Sequence, residues 1–119
     1  MDKNLHAVIT ARLFTASKCF GPGIAELLQK VEEFHSLRKA AASMGMAYSK
    51  AWTLVKTCEE HLGEKLLDYT TGGKNGGGAR VTDFGTALLT AYSAYCADLD
   101  TFQKEAFSKH FSHIITDKE

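Results

Sequence analysis

The sequence contains few cysteines, a single proline and no long apolar run. Cys19, Cys58 and Cys96 are far apart and form no C-x-x-C pair. An odd number of cysteines at such spacings argues against a disulfide framework and a zinc knuckle, and it predicts buried free thiols. The apolar stretches are too short and too interrupted by charge to span a bilayer, and the N-terminus lacks the apolar segment of a signal peptide. We therefore expect a cytoplasmic protein without a membrane span.

A net charge is also missing, because 14 Lys and Arg residues balance 14 Asp and Glu residues. Neutrality counts against a nucleic-acid-binding protein, but the charges are unevenly distributed along the chain. Residues 36–80 hold seven basic and four acidic side chains, whereas residues 81–119 hold three and six. The middle of the chain therefore carries the positive surplus that a nucleic-acid interface needs.

Local patterns predict three helices in the first half of the chain. Residues 7–14 alternate in the manner of a strand, and Pro22 is suited to the start of a helix over about 22–34. Ser36 can cap a second helix over 37–44, and Gly45 ends it. A third helix runs from about Tyr48 to Leu62 and stops at Gly63.

Two short extended segments around a glycine-rich tip then predict a hairpin, followed by one long helix. The hairpin spans about 66–82, and Thr82 or Asp83 can cap a helix that reaches about His110. Apolar residues on this helix recur every three or four positions, as in a coiled-coil seam. We expect this seam to form a homodimer, through Leu88, Tyr92, Tyr95, Leu99 and Phe102.

Two short helices joined at a glycine, followed by a hairpin, are the elements of a winged helix-turn-helix. We therefore predict a mainly α fold with a small β-wing and a long C-terminal dimerisation helix. The chain forms a single domain, 1–119, with its core over 7–82 and the dimerisation helix over 83–110. The third helix offers polar side chains to the major groove of DNA, and the wing offers glycine N–H groups and cations to phosphates. The expected DNA-binding residues are Tyr48, Ser49, Lys50, Thr53, Lys56, Lys74, Asn75 and Arg80.

Other interpretations of single residues are less favoured. Trp52 is expected to pack between the third helix and the wing. A nucleotide-binding loop at Gly72–Lys74 is disfavoured, because no serine or threonine follows the lysine and no helix starts there. His110 and His113 have a spacing that can hold a metal, but no third ligand accompanies them. The sequence offers no recognisable set of catalytic residues, so we expect that the protein is not an enzyme and that it has no cofactor and no metal site.

Paired sequence blocks carry a resemblance to a known family. From Ala40 to Leu67 the sequence resembles the DNA-binding half of LysR-type regulators, and over residues 7–106 it is more similar to the N-terminal domain of ModE-type, molybdate-responsive regulators. The shared features are Gly21-Pro22-Gly23, Leu27-Leu28, Ala40-Ala41, Gly45-Met46, Tyr48-Ser49-Lys50-Ala51-Trp52, Thr71-Gly72-Gly73-Lys74, Gly76-Gly77-Gly78-Ala79, and Thr82 followed by Gly85.

The sequence departs from the family pattern at three places. The family commonly has Gly-Ser before the second helix, where this chain has His35-Ser36, and it usually has serine where Ala47 stands. Members that sense molybdate carry C-terminal oxyanion-binding domains, for which this chain is too short. We therefore expect no molybdate site on this chain.

The favoured hypothesis is a sequence-specific, DNA-binding transcriptional regulator that binds duplex DNA as a homodimer. The alternative is a winged-helix adaptor that has lost DNA binding and recognises protein partners. Zero net charge and Ala47 favour the adaptor, whereas the polar, basic outer face of the third helix favours DNA.

Overall fold

The computed structural model describes residues 4–71 and 77–115. The helices and strands follow one another in the order β1 (Leu13–Phe14), β2 (Lys18–Phe20), α1 (Pro22–Phe34), α2 (Leu37–Ser43), α3 (Tyr48–Leu62), β3 (Leu67–Thr70), β4 (Gly78–Val81) and α4 (Asp83–Ile115). This order and these elements confirm the predicted winged helix-turn-helix with a long C-terminal helix.

The core lies where α1, α2 and α3 meet. Helix α1 buries one stripe of apolar side chains, including Leu27, Leu28 and Val31. Ala40 and Ala41 of α2 are fully buried, and such small side chains let two helices approach closely. The core is continuous with the bases of both hairpins, because Phe20 of β2 and Leu67 of β3 are also buried.

The predicted ends of these helices are confirmed. The Ser36 hydroxyl accepts a hydrogen bond of 3.0 Å from the backbone N–H of Lys39, as expected for the residue that caps α2. Gly45 has φ of 66°, a left-handed conformation that favours glycine, and it lies in the turn between α2 and α3. Helix α3 ends at Leu62, immediately before Gly63.

The β3–β4 hairpin forms the wing. Its strands are antiparallel, with Leu67 opposite Val81 and Thr70 opposite Gly78. The backbone N–H of Ala79 donates a 3.0 Å hydrogen bond to the carbonyl of His35, in the turn between α1 and α2. This bond fixes the base of the wing against the helix-turn-helix.

Helix α4 begins against the wing and then leaves the core. The Thr82 hydroxyl accepts a hydrogen bond from the N–H of Gly85, so Thr82 caps α4. A Cβ atom at Gly85 would lie 2.6 Å from Val81 Cγ1 and 2.8 Å from the Leu66 carbonyl oxygen, so the start of α4 packs closely on the wing. Leu89 and Tyr92 are the last fully buried α4 residues of the core cluster, and Cys96 is packed against its edge.

Helix α4 ends at Ile115, five residues beyond the predicted end. The predicted end is wrong because neither glycine nor proline follows His110, so nothing in the local sequence stops the helix. Among the described residues, no helix combines the length and the apolar character that crossing a membrane requires.

The predicted strand over 7–14 is also wrong in extent. Only Leu13 and Phe14 pair, with the short strand β2, and residues 5–12 lie outside any strand of the described chain. The alternating pattern is present, but β2 has only three residues and offers no further backbone to pair with.

Candidate nucleic-acid interface

The outer face of α3 carries three of the predicted DNA-contacting side chains. Ser49, Lys50 and Thr53 are all exposed. They point away from the buried stripe of α3, which contains Ala51 and Val55, because successive residues of an α-helix are rotated by about 100°. The structure therefore brings two hydroxyls and one ammonium group together on one accessible face.

Tyr48, at the first position of α3, lies next to a cation that the sequence prediction missed. The Arg38 guanidinium carbon is 4.2 Å from the centroid of the Tyr48 ring, a cation–π contact between α2 and α3. The contact orders the arginine side chain beside the N-terminus of α3. Because Arg38 lies on α2, ten residues before its partner, only tertiary structure reveals the pair.

A groove of about 710 Å³ separates this end of α3 from the wing. Arg38 and Lys39 of α2 line one wall, and Tyr69 and Thr70 of β3 line the other. Both cations are exposed. The groove therefore offers positive charge and hydroxyl groups along a path that continues from the outer face of α3.

Arg80, also predicted to contact DNA, lies on the wing but is not among the residues that line the groove. Arg80 is exposed on β4 and lies opposite Asp68 in the strand register. At the described end of the wing, the N–H of Gly78 donates a 2.9 Å hydrogen bond to the Thr70 hydroxyl. The predicted contacts Lys74 and Asn75 lie outside the described residues.

Lys56 is held between α3 and the wing. Its ammonium nitrogen is 5.5 Å from the Trp52 ring centroid and 5.7 Å from that of Tyr69 on β3. The same nitrogen is 3.6 Å from a carboxylate oxygen of Glu59. Lys56 therefore joins the two elements, and a nearby carboxylate offsets its charge.

Trp52 is not enclosed between α3 and the wing, as the sequence led us to expect. Its side chain is 43% exposed, and it approaches the wing through the ammonium group of Lys56. Lys56, one turn further along α3, approaches both the Trp52 ring and the Tyr69 ring.

Glu59 is a functional candidate that the sequence prediction missed. It is the buried charged residue of the core region, with 8% of its surface exposed. Its Oε2 atom accepts hydrogen bonds of 2.8 Å from the N–H of Leu66 and 3.2 Å from that of Leu67. Glu59 therefore fixes the first strand of the wing to α3. Glutamate on a helix is usually exposed, so no local sequence pattern indicates this role.

Burial shapes the ionisation of the neighbouring tyrosine. Partial burial, followed by the nearby Glu59 carboxylate and Tyr48, raises the pKa of Tyr69 to about 12. Tyr69 is therefore a neutral phenol at physiological pH, and the groove that it lines gains no negative charge from it.

The two single-residue departures from the family pattern, at His35 and Ala47, can each be located in the structure. His35 has φ of 57°, the left-handed conformation in which glycine is preferred, so a glycine at this position in relatives has a physical reason. Ala47 precedes α3 without a side-chain hydrogen bond to the helix N-terminus.

The predicted dimerisation seam divides into two parts. Leu88 packs against the core and Tyr92 is buried within it. The Tyr92 ring meets Phe20 edge to face at 5.1 Å, and its hydroxyl donates a 2.8 Å hydrogen bond to the Ala11 carbonyl. Tyr95 and Phe102 are exposed, and Leu99 is half-buried. Leu88 and Tyr92 therefore pack within their own domain, whereas the part of the seam from Tyr95 to Phe102 is accessible.

The described residues provide no group of three or more His, Cys, Asp or Glu side chains that could hold a metal ion. Cys19 and Cys58 are buried free thiols, as predicted, and Cys96 is a half-buried one.

The helix-turn-helix, the polar outer face of α3 and the adjoining wing define the class of winged-helix DNA-binding domains. Residues 25–86 match the family described as bacterial regulatory helix-turn-helix protein, lysR family. The chain belongs to this family, and residues 25–86 are its helix-turn-helix domain.

Relatives with ModE names match over much of the chain. The transcriptional regulator ModE of Haemophilus influenzae is 30% identical over 116 residues, which cover 98% of this chain and 42% of the relative. The DNA-binding transcriptional dual regulator ModE of Escherichia coli strain K12 is 30% identical over 104 residues, or 87% of this chain and 38% of the relative. The molybdenum-pterin-binding protein MopA of Rhodobacter capsulatus is 33% identical over 66 residues, 56% of this chain and 25% of the relative. The chain therefore spans less than half the length of these relatives.

Proposed function

We propose that this protein recognises specific sites on duplex DNA as a homodimer, with the outer face of α3 in the major groove. The observation that carries the proposal is the exposed arrangement of Ser49, Lys50 and Thr53 beside the groove between α2 and the wing. Hydroxyl and ammonium groups on such a helix hydrogen-bond to base edges. Tyr48, at the start of α3, would lie next to the same base edges.

We assign the phosphate contacts to the elements on either side of α3. Arg38 and Lys39 would meet one strand of the duplex, and Arg80 of the wing the other, together with Lys74 and Asn75. Lys56 would contribute less, because Glu59 offsets its charge. The role of Lys56 would be to hold the wing at a fixed distance from α3.

The homodimer would form through the accessible part of α4, with the two helices antiparallel. Residues 83–100 of α4 carry three acidic and no basic side chains, whereas residues 101–115 carry two lysines and one glutamate. An antiparallel pair places the acidic half of one helix beside the half of the other that has a small net positive charge, whereas a parallel pair places like halves together. Tyr95, Leu99 and Phe102 would lie at its centre.

The experiment that tests DNA binding is a titration of a random-sequence duplex at several salt concentrations. Phosphate contacts release counterions, so the logarithm of the affinity should fall linearly with the logarithm of the salt concentration. Replacing Arg38, Lys39 or Arg80 by alanine should each reduce that slope by about one unit. Lys30→Ala is the matched control, because Lys30 lies on α1 beside α4 and is ion-paired with Glu33.

The alternative function, a protein-interaction adaptor, is favoured by the zero net charge and by the pairing of Lys56 with Glu59. The same titration separates the two functions. If the wild-type protein does not bind random duplex even at low salt, DNA recognition by this surface is wrong and the adaptor remains.

We also propose that residues 1–119 bind DNA without responding to molybdate, and that their role is binding and not catalysis. Selective oxyanion binding requires several N–H and hydroxyl donors that converge in a closed pocket. After residue 82 the sequence continues as α4, and its single glycine, Gly85, is packed against the wing. Calorimetry with molybdate should give no saturable heat, and micromolar binding at one site per chain would contradict the proposal. A transcriptional regulator acts on chromosomal DNA, so we expect it in the cytoplasm.

A further inference from the structure

The N-terminal arm, defined here as residues 5–14, exposes an unusual amount of apolar surface. Val8 is 80% exposed and Phe14 is 64% exposed, and Leu5 and Ile9 are also exposed. Together with exposed apolar residues of α4, they account for most of the large hydrophobic side chains at the described surface; the α4 members are Tyr95, Phe102, Phe111 and Ile114. Exposed apolar side chains mark an interaction site where they form one contiguous surface.

The arm has the side-chain pattern of a strand but is not covered by its own domain. Ala7, Ile9 and Leu13 alternate with their neighbours as in a half-buried strand. Residues 5–12 nevertheless lie outside the strands of the described chain. The pattern therefore predicts a covering surface that the isolated chain does not supply.

The arm leaves the domain beside the first half of α4. The Tyr92 hydroxyl donates its hydrogen bond to the carbonyl of Ala11, and Ala11 and Leu13 pack against the core. Residues 5–10 therefore start from a point that is fixed on α4, near the accessible seam.

We propose that the arm of each chain closes over the second half of α4 of a second copy, residues 102–115. This inference rests on the antiparallel α4 pair of the proposed function. In a pair centred near Leu99, the partner's helix runs back along the first half of α4, so its residues around 104–108 lie beside Tyr92. The apolar arm thus meets an apolar helix face that carries Phe107, Phe111 and Ile114.

A second copy fits this surface better than an unrelated partner because the two halves of the contact are on the same chain. A two-fold axis buries arm against helix twice, as an isologous interface requires. The exposed apolar side chains of the arm and α4 amount to roughly 800 Å² per copy, which is about the area that each partner contributes to a standard stable interface.

The first test compares Val8→Asp with Ala16→Asp by sedimentation equilibrium of the full chain. Both residues are exposed in the isolated chain, so neither aspartate replaces a buried contact within it. Ala16 lies in the turn between β1 and β2, outside the segment that closes over the partner. We expect Val8→Asp to weaken the dimer at least tenfold and Ala16→Asp to leave it unchanged. Equal dimer affinity in the two variants, or a monomeric wild-type protein, overturns the inference.

The second test identifies what the arm contacts. In a Cys96→Ser background, Ile9→Cys protein is mixed with Phe111→Cys protein and oxidised. We expect disulfide-linked heterodimers, and little crosslinking of Ile9→Cys protein alone. Efficient crosslinking of Ile9→Cys protein alone means that two arms pair with each other, and no intermolecular crosslink in either case means that the arm folds back on its own chain; both results overturn the inference.

DNA binding is measured separately on the same proteins. If a variant loses the arm contact but still binds DNA at low salt, the proposed interface on α3 is supported. A wild-type dimer that responds to Val8→Asp but binds no duplex overturns the proposed DNA recognition and leaves the arm contact supported. The two failures are therefore distinguishable.

Discussion

At the scale of single residues, His35 occupies a backbone conformation that favours glycine, and no other non-glycine residue of the described chain has positive φ. The left-handed conformation costs an L-residue about 1–2 kcal/mol, partly offset by the greater entropy that glycine loses on folding. We expect His35→Gly to raise the free energy of unfolding by about 0.5–1 kcal/mol, measured by urea denaturation. Gln29→Gly, at an exposed interior position of α1, is the control and should lower stability by about 1 kcal/mol. A lower stability for His35→Gly would contradict the expectation.

Cys58 makes stability depend on alkaline pH. Burial, followed by the neighbouring Cys19 thiol and then Glu59, raises the pKa of Cys58 from 9.0 to about 12. The folded state therefore keeps the thiol proton that the unfolded state loses above pH 9. The resulting stabilisation is complete below pH 9 and is lost between pH 9 and pH 12, at up to about 1.4 kcal/mol per pH unit. Tyr69 shifts in the same direction, from 10.0 to about 12.

Denaturation under reducing conditions at pH 8, 9 and 10 checks this prediction. The free energy of unfolding should fall over this range, and the fall should be smaller in Cys58→Ala, which is less stable at every pH because it loses packing. An equal fall in both proteins would exclude Cys58 as its source. Cys96→Ala is the control, since its thiol is only half-buried.

Some residue roles were predictable from the sequence and others were not. Ser36, Gly45 and Gly63 act on the backbone within a few residues of themselves, and all three were predicted. The partners of Arg38 and Glu59 lie on other elements, at the start of α3 and the start of the wing. Their roles depend on packing between elements, about which local sequence patterns contain no information.

At the scale of the elements, Glu59 couples the position of the wing to that of α3. Replacing it by alanine leaves the buried N–H groups of Leu66 and Leu67 without their acceptor, and each such group costs about 1–3 kcal/mol. We expect Glu59→Ala to lower the free energy of unfolding by roughly 2–4 kcal/mol. Its exposed neighbour provides the control, and Glu60→Ala should change stability by less than about 0.5 kcal/mol.

Thermal and urea denaturation of both variants measure this difference. Glu59→Gln keeps one carbonyl acceptor and should be intermediate between the wild type and Glu59→Ala. If Glu59→Ala is as stable as Glu60→Ala, the two hydrogen bonds do not hold the wing.

The helices were more predictable than the strands for a physical reason. Helices α1 and α3 have the predicted bounds because their ends are set by Pro22 and Gly63, which act locally. The extent of the strand at 7–14 was not predictable, because a strand exists only where another strand pairs with it, and β2 is too short to do so. The outer face of α3 was predictable from periodicity. The cation–π contact of Lys56 with Tyr69 was not, because it depends on where the wing lies.

At the scale of the whole molecule, the elongated shape follows from α4, and the extents are 65 × 28 × 21 Å. The proposed dimer predicts that charged residues in the accessible seam separate the chains without unfolding them. Tyr95 is exposed and Leu99 half-buried, so Tyr95→Asp with Leu99→Asp disturbs little within one chain but places unpaired charge in the helix pair, which costs several kcal/mol.

Sedimentation at micromolar concentration checks this prediction, with circular dichroism as the measure of folding. The double variant should be a folded monomer, and the wild type a dimer. Thr101→Asp, on a different face of α4 and exposed, should remain a dimer. A wild-type monomer would show that α4 serves another contact.

The second half of α4 has a further consequence for the chain before it assembles. Beyond Cys96 the helix contributes nothing to the core cluster of the described residues, and an isolated helix of this length is only marginally stable in water. In a single chain, its backbone amides should therefore exchange with deuterium far faster than those of α1 and α3. Dilution should accelerate exchange between Leu99 and Ile115 while leaving the helix-turn-helix unchanged, because the proposed dimer is what would stabilise the second half of α4.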